Sequence, residues 1–442
     1  MKNYSIREIR SLKNELYLPI RINQLKTPPQ LPTDILHEIF KYLTHSIALN
    51  STLLVCHHWS EVCVPFLWRN IRNYKTLISC LPNESKELLR RNDIIIPTST
   101  PFFNYTQFIK FLSIEKTSLI GLGFESNHFQ DVTYSTYPGT VRCLKDLSEL
   151  TCTSDVFSEF FYHIFKICKN LRLIKLVIVE CNITRSLSDL FSAMKDLKHI
   201  KIVPNCGWDD FTEYLCELPN SLIKLEIYAQ ENFMSLSKVE RLKNLEEITL
   251  CFNDVDSFEG FETCHFPRLK IFELQKASPD GERLTEFLEI NGNQLEELYL
   301  GSSDSLTNLA IFKNCPNLKS LYTPFLNEED ETLKMILLNC QKLEHVRFCC
   351  GTDYLSESTI LDLVVTHAPE NFYGISLYYP KGQDTGLLSY DLNNFFINWA
   401  IRKPLKLIVF SLVNARRALA NPKIIDVFEK DEFDVIKRLQ IF

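Results

Sequence analysis

At 442 residues the chain exceeds one typical domain and carries ample material for a large core. Its 45% hydrophobic and 23% charged residues are ordinary for a soluble globular protein, and a net charge of −7 argues against the basic field of a nucleic-acid binder. Twelve Gly leave little for glycine-rich phosphate loops, and 15 scattered Cys without CxxC pairs fit buried thiols in a reducing compartment rather than a secreted disulfide framework.

Residues 1–28 form an extension without the continuous apolar core of a signal peptide. The next segment, Leu31–Ile71, is expected to be helical. Pro32 suits a first helical turn and Asp34 the positive end of the helix dipole. Ile35, Leu36, Ile39, Phe40 and Leu43 follow at spacings of one, three and four, so they share a helical face. Leu54, Val55, Trp59 and Val62 suggest a second helix ending before Pro65, and Phe66, Leu67 and Trp68 a short third turn. About forty residues rarely build a self-sufficient core. Surplus apolar surface on such short helices points either to a groove on another protein or to capping of the downstream domain, and spacing leaves both open.

The order Leu31-Pro32, Asp34, Ile35-Leu36, Ile39-Phe40, Tyr42-Leu43, then Val55-Cys56-His57-His58-Trp59 and Leu67-Trp68 closely resembles the F-box. That resemblance implies a three-helix module over 29–75 that binds the Skp-type adaptor of cullin–RING ubiquitin ligases. It also implies that Leu31, Pro32, Ile35, Leu36, Ile39, Phe40 and Leu43 supply adaptor-facing anchors, with Val55, Trp59 and Trp68 completing fold or interface. The stretch between Leu43 and Leu53 is more polar than the pattern, which blurs the start of the second helix.

Residues 76–116, with a helical-looking Tyr105–Leu112, read as an ordered linker too apolar to stay solvated. Beyond it, over 117–442, eleven segments share an apolar-x-x-apolar-x-apolar core, from Leu147-Leu150-Cys152 to Leu405-Ile408-Phe410. Their spacing is near 25 residues, and Leu119-Leu122-Phe124 looks like an earlier copy. Phe157–Cys168, Asp209–Leu218, Arg283–Ile290, Glu328–Leu338 and Ser356–His367 have helical periodicity, so each unit reads strand, loop, helix, turn. Cys168, Cys315 and Cys340 each precede a strand anchor by three residues, a slot for a small apolar side chain. Ile424–Phe442 reads as a helical cap. This part resembles the leucine-rich-repeat domains that follow F-boxes. The implied fold class is α/β: a three-helix F-box, then a curved solenoid with parallel strands on its concave face and helices on its convex face. Leu245–Val255 alone carries the full repeat consensus with its Asn, Asn253.

No catalytic constellation, nucleotide loop or metal-ligand spacing is present, so neither cofactor nor metal is expected. His57-His58 fall on the polar side of the second helix without a second ligand pair. Side chains between strand anchors should face the concave surface. They include Lys175, His199, Lys201, Lys224, Glu247, Glu273, Glu297, Tyr299, Tyr322, His345 and Arg347. Among these Lys201, Glu297, Tyr299, Tyr322 and Arg347 are the candidates for contact with a target protein, Tyr and Arg being common interface anchors. The expectation is a soluble cytoplasmic or nuclear receptor that joins an adaptor to a target and leaves ubiquitin transfer to its partners. Its alternative is a non-degradative binding scaffold. Neither nucleic acid nor a membrane is an expected partner.

Overall fold

The computed structural model describes residues 31–43, 46–71, 78–91, 96, 105–114, 144–153, 167–168, 170–178, 196–204, 215–228, 236–252, 258–276, 279–380, 387, 389–402, 408–413 and 437–441. The chain divides into two compact units, Met1–Arg69 and Asn70–Phe442.

The first unit holds helices α1 (Thr33–Tyr42), α2 (Ser46–Thr52) and α3 (His57–Leu67). Pro32 opens α1, where its missing N–H costs nothing, and its carbonyl accepts from Leu36 N–H at 3.1 Å. Leu36, Phe40, Leu49, Val62 and Cys63 form the core, and Leu43, Leu53, Trp59, Phe66 and Leu67 pack around it. The Phe40 ring meets Trp59 and Phe66 edge-on, with centroids 5.6 and 6.0 Å away. The blurred polar stretch contains α2, which Leu49 and Thr52 hold in place. Thr52 Oγ1 and Cys63 Sγ both donate to the Leu49 carbonyl, at 2.7 and 3.2 Å. The second expected helix starts later than its apolar spacing suggests, since Leu54 and Val55 precede it. It also runs through Pro65, so the expected third turn is the end of α3, closed by Trp68 N–H on the Val64 carbonyl.

Among the described residues, the second unit is a 14-stranded parallel sheet in strict chain order. Its strands are β1 (Asn70–Ile71), β2 (Phe111–Ile114), β3 (Glu149–Thr153), β4 (Leu173–Ile178), β5 (His199–Pro204), β6 (Lys224–Tyr228) and β7 (Glu247–Phe252). They continue as β8 (Ile271–Lys276), β9 (Glu297–Leu300), β10 (Ser320–Tyr322), β11 (His345–Cys349), β12 (Gly374–Tyr378), β13 (Ile408–Val413) and β14 (Lys437–Ile441). The described helices are α4 (Asn83–Arg91), α5 (Gly281–Asn291), α6 (Ser305–Asn314), α7 (Asp330–Asn339), α8 (Glu357–His367) and α9 (Ser389–Arg402). Helices α5 to α9 pack each on the next as a second layer. This is a leucine-rich-repeat solenoid.

The alternation of strand side chains decides which face is core. Leu150, Ile174, Ile200, Leu225, Ile248, Phe272, Leu298, Leu321, Val346 and Ile375 align across successive strands and are buried. Burying such a side chain contributes about 2 kcal/mol. Register is locked at the strand entries from β3 to β12, because one carbonyl accepts the first two N–H groups of the next turn. Ile223 O does so for Glu246 and Glu247, and Glu344 O for Tyr373 and Gly374. Cys168, Cys315 and Cys340 are buried as their slot implies, and burial pushes the Cys340 thiol up to about 12.

Three elements differ from expectation. Tyr105–Leu112 is a 3-10 turn (Tyr105–Phe108) leading into β2, so the stretch read as a linker contributes a strand to the sheet. Phe410, not Ile408, aligns with Ile375, which shifts the last repeat by two residues. Lys437–Ile441 is strand β14 rather than helix, paired in parallel with β13. The early copy at Leu119–Phe124, most of Phe157–Cys168 and Asp209–Leu218, and the expected cap over 424–436 lie outside the described residues.

Candidate functional site

Helix α1 is apolar on two sides. Leu36 and Phe40 point into the unit's core at 0% and 1% exposure. Ile35, Ile39 and Tyr42, spaced four and three apart, form a second stripe that is 48%, 39% and 81% exposed. Leu31 and Pro32 are exposed at its head, and Leu54 and Val55 stand out at 88% and 57% in the turn before α3. A unit this small gains nothing from apolar side chains left in water.

The open face of the sheet carries a central row running Lys175, Lys201, Glu226, Thr249, Glu273, Tyr299, Tyr322, Arg347 and Ser376. Its first half is organised around Glu226. That carboxylate accepts from His199 Nε2 at 2.8 Å, Lys201 Nζ at 2.9 Å and Tyr228 Oη at 3.1 Å, and Lys224 Nζ lies 3.5 Å away. Burial alone would raise its pKa, yet the hydrogen bonds and charges of Lys201 and His199 outweigh burial and hold it well below the usual carboxylate range. Lys201 also lies over the Tyr228 ring, 3.9 Å from its centroid, and Lys224 reaches Glu247 at 3.0 Å.

The second half is aromatic. Tyr299 and Tyr322 stack with centroids 4.2 Å apart, Tyr378 meets Tyr322 edge-on at 6.3 Å, and the Arg347 guanidinium sits 5.6 Å from the Tyr322 centroid. Burial raises the pKa of both the Tyr299 and the Tyr322 hydroxyl, so both stay protonated. His345 Nε2 is 2.9 Å from Ser376 Oγ, and burial with the nearby Arg347 charge lowers the His345 pKa to about 4. Gly374 makes room for that ring, since any added Cβ would collide with it. The loops leaving β10 and β11 are fastened together. Leu326 bridges Tyr354, Asn327 Nδ2 donates to the Thr352 carbonyl at 3.0 Å, and Leu355 N–H donates to the Phe325 carbonyl at 3.0 Å.

The F-box-like family matches residues 29–74, the segment that carries the exposed stripe of α1. Residues 29–74 form an F-box-like domain. Comparison with curated proteins returned no match. Among solved structures, the leucine-rich-repeat protein LegL7 from Legionella pneumophila is 14% identical over 61% of this chain and 97% of its own, with a TM-score of 0.39. A chain of the yeast Rad7–Elc1 complex is 12% identical over 87% of this chain and 97% of its own, with a TM-score of 0.36.

Within the F-box-like domain the structure separates the ten residues singled out from sequence. Leu31, Pro32, Ile35, Ile39 and Val55 are exposed, Leu36 and Phe40 are core, and Leu43, Trp59 and Trp68 are half-buried. Leu54 and Tyr42 are exposed side chains that the motif reading did not name among the adaptor-facing anchors. On the sheet, Tyr299, Tyr322 and Arg347 come together, whereas Lys201 is engaged by Glu226 and Glu297 stands exposed one row toward the strand entries. Glu226, Tyr228, Tyr354 and Tyr378 were missed. Glu226 occupies the same slot between anchors as Lys175 and Lys201, so the alternation rule does find it. Tyr354 follows its strand and has no such rule. Among the described residues no group of three or more His, Cys, Asp or Glu is placed to hold a metal ion, and no helix is long and apolar enough to cross a membrane.

Proposed function

We propose that this chain is the substrate-recognition subunit of a Skp-adaptor/cullin/RING ubiquitin ligase. Its F-box-like domain binds the adaptor, the open face of its repeat sheet binds a target protein, and partner subunits transfer ubiquitin. The observation that carries this reading is the stripe of Ile35, Ile39 and Tyr42, apolar and exposed on a helix whose adjoining face already fills the core. In this reading Leu31, Pro32, Ile35, Ile39 and Val55 touch the adaptor. Leu36 and Phe40 act indirectly, by fixing the helix that presents them.

The test is co-purification of the full chain with a Skp-type adaptor. The double variant Ile35→Asp, Ile39→Asp puts two carboxylates into an apolar groove and is expected to weaken binding by on the order of a hundredfold or more. Both positions are solvent-exposed, so the variant keeps its helical circular dichroism. Absence of adaptor binding by the unaltered chain overturns the proposal. Adaptor binding without ubiquitination of any captured target, in a reconstituted ligase, favours the scaffold alternative.

A further inference from the structure

We propose that the Tyr299–Tyr322–Arg347–Tyr378 cluster is an oxyanion-recognition pocket that takes a carboxylate or phosphate group carried by the target polypeptide. The inference deepens the reading of the sheet face as the target-binding surface and rests on it.

Charge bookkeeping along one continuous row carries the argument. On β5 to β7 the basic side chains have acidic partners: His199 and Lys201 reach Glu226, and Lys224 reaches Glu226 and Glu247. On β11 the guanidinium of Arg347 has an aromatic platform and no ion pair with any carboxylate among the described residues. The acid of the same row, Glu273, already accepts from Thr249 Oγ1 at 3.2 Å and Gln275 Nε2 at 2.7 Å. The exposed Glu297 is a row nearer the strand entries, beside Ser320, while Tyr378 lies a row toward the strand exits.

The remaining polar groups around Arg347 suit an acceptor-rich ligand. The Tyr299 hydroxyl stays protonated and can donate, the Tyr322 hydroxyl is shared with Tyr299 and Cys349, and Ser376 adds another hydroxyl in the same row. His345, already paired with Ser376, is held neutral by its surroundings and does not compete for the anion. A guanidinium forks two parallel N–H donors onto an oxyanion, and a partly desolvated setting strengthens both. The pocket is also rigid. Tyr322 is 7% exposed, clamped between Tyr299 and Tyr378, and it and Tyr354, from the fastened loops after β10 and β11, both hydrogen-bond Cys349. Rigid aromatic walls around one cation favour affinity because little is left to immobilise on binding.

Four fluorescent nonapeptide pools with random flanks test this on the full chain. Their fixed central residue is phosphoserine, glutamate, glutamine or serine, and binding is read by fluorescence anisotropy. The phosphoserine or glutamate pool is expected to bind at least tenfold more tightly than its neutral counterpart, with affinity falling as salt rises, and the stronger of the two identifies the source of the oxyanion. Arg347→Gln should erase that preference while Lys342→Gln, at an exposed position outside the strands, keeps it. Arg347→Lys, which retains the charge without the fork, guards against loss of fold and should retain only part of the preference. Equal binding of charged and neutral pools, or a preference that survives Arg347→Gln, overturns the proposal. Adaptor binding plays no part in this assay, so failure of the ligase reading and failure of the pocket are scored separately.

Discussion

The open face of one sheet handles polarity in two opposed ways. On β5 to β7, three basic side chains converge on the carboxylate of Glu226, and the surface satisfies its own charges. On β9 to β12, tyrosines converge on one another and hold up a cation that has no acid partner among the described residues. Both halves repeat the same strand and the same slot, so the difference comes entirely from the side chain placed between two buried anchors. A repeat scaffold can thus place a closed, self-neutralised surface beside an open one without altering its backbone.

Three perturbations probe that contrast, in descending order of expected effect. Tyr322→Ala removes the buried ring at the centre of the aromatic half and is expected to cost about 3–4 kcal/mol of stability, measured by urea denaturation. That loss should be unchanged in 1 M salt. Glu226→Ala strands His199, Lys201 and Lys224 without their common acceptor and should cost about 2–3 kcal/mol, a loss that shrinks in 1 M salt. Equal salt sensitivity of the two variants would erase the distinction drawn above.

Acid separates the halves by pH. His345 titrates near 4 in the folded chain against an ordinary 6.5, so the unfolded chain binds more protons within that window. Its contribution is therefore complete above pH 6.5 and declines as pH falls toward 4, by roughly 1–2 kcal/mol at pH 5. Glu226 is depressed below the ordinary 4.5, so its contribution is complete above that value and fails only at lower pH. The urea midpoint should fall between pH 6.5 and 5 in the unaltered chain, and His345→Gln should flatten that slope.

The fold was legible where chemistry repeats. Leu245, Ile248 and Leu250 mark a strand because a buried face demands apolar residues at fixed intervals, and Leu31-Pro32 marks a helix start because proline tolerates one position there. Helix α2 was not legible, because two residues hold it, Leu49 by burial and Thr52 by a hydrogen bond, and neither creates a period. The split within α1 was half legible: Ile35, Leu36, Ile39 and Phe40 read as one face, and only packing shows that Leu36 and Phe40 turn inward while Ile35 and Ile39 turn out. Tyr299 and Tyr322 could be placed in one row from sequence. That Tyr354, which arrives from a loop bridged to Leu326, shares Cys349 with Tyr322 is something no spacing encodes.

Asparagine amides join several turns of the solenoid. Asn244 Nδ2 donates to the Asn220 carbonyl at 2.9 Å, Asn317 Nδ2 to the Asn293 carbonyl at 2.7 Å, and Asn339 Nδ2 to the Phe312 carbonyl at 2.6 Å. The buried Asn291 spans two turns in the same way, accepting from Phe266 N–H and donating to the Cys264 carbonyl, both at 2.8 Å. Each link reaches back only to the turn before it. Under mechanical load such a chain behaves like a zip fastener: pulled from one end it should yield in steps of about one repeat, with force plateaus spaced by some 25 residues of released length.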